Sequence, residues 1–267
     1  MKAFYFDVES ELAHFRDHLS HAFLNTFLAP PPHTIIGFLG CCCGFTERQT
    51  EEILSSNVMV GCRILSVKGY VKDLAIMENQ KPRSVNFPRT RKFLVSPVYR
   101  IYIAKNENRK EKEDEKALIT SLRRAVCSPN FTPYLGISDC LAYVRYISDI
   151  IDVEPARFKE TECIVPLPIQ EIGNEKQVKR YDKGRKQHHD GYRHIEDKGH
   201  EYSTKIKESR VLTVYPHIIT VPRSYEITEK GRKPKSLVKL LVSLNCIVSF
   251  KKSIDGWVIN GENVALI

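Results

Sequence analysis

Four histidines, His188, His189, His194 and His200, crowd the stretch KQHHDGYRHIEDKGHEYSTK, with Asp190 among them. Imidazole and carboxylate are ligands for zinc and related divalent ions. A metal centre also needs a frame that fixes its ligands. This stretch is polar throughout, so it reads as a solvated loop. Eight cysteines are the other candidates. Cys41, Cys42 and Cys43 are contiguous, the rest lie singly in apolar runs, and no CxxC spacing occurs. They read as reduced, small, mostly buried side chains without a metal. The chain has no GxxxxGK[ST] loop, no GxGxxG between a strand and a helix, and no GxSxG. The nucleotide-hydrolysing, dehydrogenase and serine-hydrolase classes are therefore excluded, and no cofactor is expected.

A different arrangement surrounds PPPHTIIGFLGCCCGF, residues 30–45. Proline is tolerated in the first helical turn, so the run starts a helix. Helical spacing aligns His33, Gly37, Gly40 and Gly44 on one face, with Ile35, Ile36, Leu39, Cys42 and Cys43 on the core side. Each interior glycine costs about 1 kcal/mol against alanine. A bare stripe lets another element or a ligand come close. The helix start also offers backbone N–H groups that suit phosphate.

The elements that would hold this helix follow from periodicity. KAFYFDVES, NVMVGCRILSV, FLVSPVYRIYIAK and LAYVRYISDI read as strands. The proline-led helix, which continues through TERQTEEILSS with a break near Gly44, and ALITSLRRAVC are the helices between them. The order is strand, helix, strand, strand, helix, strand. This predicts an α+β, ferredoxin-like βαββαβ domain over residues 1–155. Residues 67–92 interrupt it with a basic excursion, either a long β-hairpin or a loop ordered by a partner. Beyond 155 lie a polar insertion, about 170–209, and strands that make a smaller β-rich part over 156–267.

Charge is uneven. The chain carries 41 Lys and Arg against 32 Asp and Glu, a net charge of +9. Residues 1–67 are net acidic, whereas the excursion holds Lys81, Arg83, Arg89, Arg91 and Lys92 with Phe87 between them. Local cationic blocks with an aromatic favour a nucleic-acid partner, which predicts phosphate contact and base stacking from one segment. No apolar run nears the roughly 20 residues of a membrane span, and the N-terminus has acidic residues where a signal peptide is apolar. The expected location is the cytoplasm, with no membrane partner.

Together these residues resemble a known family. "FR…T…PPPHTIIGFLGCCCG", then "RTRKFLVSPVYRIYIA" and "PYLGISD", look like the Cas-five family of CRISPR-associated RAMP proteins, and the pattern looks most like type I-B. The resemblance covers most of residues 1–150. It implies a non-catalytic subunit of a Cascade surveillance complex that caps the 5′ handle of crRNA. The implied partners are that handle, a Cas-seven type backbone subunit and the large subunit, with target DNA met indirectly. Carried over by position, the RNA contacts are His33, Thr34, Gly37 and Gly40 on the helix, and Tyr134, Gly136 and Ser138 in the loop. Lys81, Arg83, Arg89, Arg91 and Lys92 would act from the excursion as a thumb, and Arg16 matches the family's "FR". One branch of the family cleaves its own pre-crRNA without metal, by activating a 2′-hydroxyl. Here Lys105 has no histidine beside it, so no catalytic residue is assigned. His33 beside Tyr134 is the alternative site, and an RNA-binding scaffold unconnected to CRISPR is a further alternative.

Overall fold

The computed structural model describes residues 1–17, 24–77, 87–106, 115–167, 202–208, 212–229 and 231–267. Lys81, Arg83, His18, His21 and the four histidines at 188–200 lie outside them, as does most of the expected insertion. The chain is a mixed α/β protein, rich in sheet and poor in helix.

The central sheet is antiparallel and ordered β3–β6–β1–β7. Its strands are β1 (Lys2–Ser10), β3 (Val58–Ser66), β6 (Val98–Lys105) and β7 (Ala142–Ile147), and the short β8 (Ile151–Asp152) also pairs with β1. Successive side chains of a strand point to opposite faces. In β1 this sends Phe4, Phe6 and Val8 into the main core and Ala3 and Tyr5 into a second core behind the sheet. β6 divides likewise, with Tyr99, Ile101 and Ile103 in front and Tyr102 and Ala104 behind. Both faces are covered, which explains why these strands read as nearly continuous apolar runs.

Helix α1 (Pro32–Cys43) lies on the front face, burying Ile35, Ile36, Phe38, Leu39 and Cys42. Phe38 stacks on Phe6 with ring centres 5.6 Å apart. Helix α4 (Glu115–Cys127) contributes Ile119, Leu122 and Val126 to the same core. That core extends through Val221, Val238, Leu240, Val242 and Leu244 of a long C-terminal hairpin, β12 (Val214–Thr228) with β13 (Gly231–Leu244). Behind the sheet, Arg100 bridges Asp7 at 2.7 Å and Glu262 at 2.8 Å, while Arg63 reaches Glu262 at 2.7 Å. These pairs fasten β15 (Glu262–Val264) over the second core.

Two sequence expectations are corrected. The expected break near Gly44 is there, but Gly44 itself is not a member of the glycine face. It is the left-handed C-cap of α1, φ 75°, a conformation that costs glycine nothing. Phe45 N–H then donates to Gly40 O at 2.9 Å. Helix resumes as α2 (Glu47–Gln49), started by a capping box between Thr46 and Gln49, then a π-turn over Thr50–Leu54 and α3 (Ser55–Asn57). The expected single strand FLVSPVYRIYIAK is also two strands. Ser96 turns the chain at φ 46° and Pro97 has no N–H for a ladder, so β5 (Phe87–Val95) ends before β6 begins. β5 pairs with β4 (Gly69–Met77), from Gly69 opposite Val95 to Met77 opposite Phe87. The described part of the basic excursion is therefore a two-stranded ribbon.

Candidate nucleic-acid interface

α1 brings its exposed side to the floor of a groove of about 490 Å³. His33, Thr34, Gly37 and Cys41 come from α1, and Thr50 and Glu51 from the π-turn. Phe131, Tyr134 and Gly136 come from the loop before β7, and Tyr225, Ile227 and Arg232 from the β12–β13 hairpin. Thus His33, Thr34, Gly37, Tyr134 and Gly136, singled out by the sequence, do meet. Ser138 is exposed in the same loop but does not line the groove.

The glycines separate into different roles. A Cβ placed on Gly37 would meet no atom within 4 Å, and the residue is exposed. Gly40 is buried, and a Cβ there would lie 2.2 Å from the Thr50 hydroxyl oxygen. Gly37 is therefore bare main chain, and Gly40 is a packing position filled by the next helical segment. Gly136 is fixed by its backbone, with φ 94° and the carbonyl oxygen of His14 1.9 Å from a built Cβ. The helix start offers less to an anion than its sequence suggests. Pro32 has no N–H, and Thr34 N–H already donates to Pro31 O at 2.9 Å.

The walls combine aromatic surface with partly paired charge. Phe131 is 61% exposed and Tyr134 40% exposed, unusual for rings beside a packed helix. Across from them, Tyr225 meets the His33 ring edge-on at 5.1 Å. His33 Nδ1 donates to Pro222 O at 2.9 Å, and its Nε2 lies 3.4 Å from Thr34 Oγ1. The two groove carboxylates are occupied: Glu47 pairs with Arg232, and Glu51 accepts the Tyr225 N–H at 3.0 Å. Burial raises the thiols of Cys41 and Cys43 and pushes Cys42 up to about 12, so all three are protonated at neutral pH, with Cys42 buried in the core and Cys41 at the groove.

The cations of β5 differ among themselves. Arg91 is held internally by Asp73 at 2.8 Å and Asp139 at 3.6 Å, over the Phe93 ring. Lys92 stacks on Tyr70 with its ammonium 3.8 Å from the ring centre. Arg89 lies half-buried opposite Ala75. Arg16 is exposed and bridges to Thr26 through its backbone. The ribbon also exposes Leu74, Val71 and Tyr70. Among the described residues no group of three or more His, Cys, Asp or Glu could hold a metal, and no helix is long and apolar enough to cross a membrane.

Sequence reasoning missed Phe131, Tyr225, Ile227 and Arg232. Phe131 was within reach, being an exposed-type loop aromatic three residues from Tyr134. The hairpin residues carry no local signal, since they reach α1 only through the tertiary fold.

The chain is similar to several solved CRISPR proteins. A CRISPR RNA-guided surveillance complex subunit is 14% identical, covering 90% of this chain and 89% of that one, at TM-score 0.46. A CRISPR protein from Archaeoglobus fulgidus is 15% identical over 99% of this chain and 98% of that one, at TM-score 0.49. A structure described as a Cas protein is 20% identical, at TM-score 0.34. Only 51% of this chain and 57% of that chain are covered there, so the match spans little more than half of its length. Similarities this low carry no argument. No curated protein matches the chain. The family described as CRISPR-associated protein (Cas_Cas5), by contrast, matches residues 4–212. That span takes in the central sheet, α1, the ribbon and the loop of Tyr134 and Gly136, and the chain belongs to this family.

Proposed function

We propose that this chain is a non-catalytic, crRNA-binding subunit of a type I Cascade complex, built on a ferredoxin-like RAMP domain. The observation that carries the reading is Gly37, uncovered main chain at the floor of an aromatic-walled groove. Proteins that read single-stranded RNA stack splayed bases on aromatic rings and let the backbone pass close. Phe131 and Tyr134 supply such rings on one side and Tyr225 on the other. Of the groove carboxylates, Glu47 is offset by its ion pair with Arg232, whereas Glu51 accepts the Tyr225 N–H and keeps its charge, which favours bases over phosphates beside it.

The sheet order β3–β6–β1–β7, crossed by α1 and α4, supports the ferredoxin-like assignment. The β4–β5 ribbon acts as the thumb. Arg89, which has no ion-pair partner among the described residues, faces phosphate, whereas Lys92 is held on Tyr70, and exposed Leu74 and Val71 suit contact with the backbone subunit. The 5′ handle of crRNA is the ligand, the backbone and large subunits are the protein partners, and target DNA is met through the guide.

The test is binding of the purified chain to repeat-derived RNA with and without its 5′ handle. Handle-dependent affinity is expected, and equal affinity for both RNAs would end the assignment. The same mixtures, held without metal, address catalysis. The Nδ1–H bond to Pro222 orients His33 as a general base would require, so this alternative has a structural basis. Cleavage of repeat RNA that is lost in His33→Gln would make the chain an endoribonuclease.

A further inference from the structure

The β12–β13 hairpin has two faces with different work. Its inner face is pinned to the helices at three points: Pro222 O to His33, Tyr225 N–H to Glu51, and Arg232 to Glu47. Tyr225, Ile227 and Arg232 line the groove from this face. The outer face is therefore held rigidly with respect to α1 rather than waving in solvent.

Register fixes what the outer face presents. Pro222 pairs with Leu237, Ser224 with Ser236, and Tyr225 with Pro234. The first step leaves Arg223 as an extra residue on β12, and the second leaves Lys235 as an extra residue on β13. Two of the three ladder irregularities thus carry an exposed cation; the third, between Val214 and His217, carries none. Bulges re-aim side chains, and they persist where that direction is used. Lys233 alternates with the groove-lining Arg232, and Lys239 alternates with buried Val238 and Leu240, so both point away from the inner face. Among the described residues none of these four cations has an ion-pair partner, although Glu226 stands across the ladder from Lys233. Leu237, between Lys235 and Lys239, is 44% exposed.

We propose that this outer strip, Lys233, Lys235 and Lys239 around Leu237, together with Arg223 at the neighbouring bulge, is a second nucleic-acid contact that holds the phosphodiester backbone of a single strand. The strand that lies here is distinct from the one over Gly37, because the two faces of the hairpin look in opposite directions. Four unpaired cations along one ribbon supply a polyanion track. An exposed leucine among them suits an unstacked base or sugar, which a duplex does not present. Alternate residues step about 7 Å along a strand, so the lysines meet successive positions of an extended chain rather than one point.

The experiment uses the full chain and fluorescent 30-mers of poly-pyrimidine RNA, the matching DNA, and a duplex, across a salt series. Replacing all four cations with alanine removes up to four phosphate contacts. The slope of log K against log salt for single strands should then fall by about 2.8. A charge-matched control, Lys159, Lys205, Lys251 and Lys252 to alanine, should change it by less than 1. Gly37→Leu should weaken capture of handle RNA at least tenfold, while the difference in slope between strip and control variants persists in its background, which separates the strip from the groove. RNA and DNA arms report which strand the strip accepts. Thermal melts confirm that both quadruple variants fold. Equal slopes for strip and control variants, or preference for the duplex, would overturn the proposal.

Discussion

Gly37 allows the RNA reading to be tested against its own stability cost. Glycine inside a helix is worse than alanine by about 0.8–1.0 kcal/mol, and leucine is close to alanine. Nothing lies within 4 Å of a Cβ at this position, so a side chain there meets no steric penalty. Both Gly37→Ala and Gly37→Leu should therefore stabilise the protein, by roughly 0.5–1 kcal/mol. For a chain of this size that is a rise in melting temperature of about 1–2 °C. Leucine would also stand up from the floor of the 490 Å³ groove, where the RNA backbone would lie. Loss of handle affinity by at least tenfold, about 1.4 kcal/mol, is expected for leucine, with a smaller loss for alanine. Calorimetry and RNA titration on the same samples provide the two readouts. A leucine variant that is more stable and still binds handle RNA at wild-type affinity would refute the reasoning. So would one that is destabilised, because the position would then not be open.

The neighbouring glycine should behave in the opposite way. Gly40→Ala should destabilise by about 1–3 kcal/mol through overpacking against Thr50, and Thr50→Ala should recover part of that loss in the double variant. Additive losses in denaturant melts would show that the two residues do not touch. Arg89→Ala should lower the salt slope of RNA binding by about 0.7 with little change in melting temperature. Arg91→Ala should instead cost about 1–2 kcal/mol of stability, through its partners Asp73, Asp139 and Phe93. If Arg91→Ala changes only the slope, the ion pairs are incidental. His14 is 3% exposed, and burial lowers its basicity, opposed by the hydrogen bond to Lys92 O and assisted by Arg91 and Arg16. The unfolded chain takes up this proton near pH 6.5 and the folded chain only at lower pH. His14 thus contributes stability above about pH 6.5 that is lost as the pH falls, by about 1.4 kcal/mol per unit of depression. Melting curves between pH 7.5 and 5 should show this loss, and His14→Gln should flatten it; an equal pH dependence in that variant excludes His14 as the cause.

What the sequence made legible was what local periodicity controls. Ile35, Ile36, Leu39 and Cys42 face the core because a helix of 3.6 residues per turn leaves them no other face. The alternation in YRIYIA likewise placed Tyr99, Ile101 and Ile103 on one side of the sheet. Periodicity could not divide the glycines, because their difference lies in what arrives from elsewhere. Thr50 covers Gly40 only because the chain turns back after Gly44 and forms a π-turn, while among the described residues no such segment reaches Gly37. Nor could a charge count separate Arg91 from Arg89, since Asp139 is brought to Arg91 by the loop that Gly136 allows to pack against His14. One apparent motif is thus three devices: a cap at Gly44, a close packing at Gly40 and an opening at Gly37. The first two would serve any protein of this fold. Only the third carries a helix-propensity cost that no packing among the described residues recovers, and for that reason it is the position at which the proposed RNA contact is most directly tested.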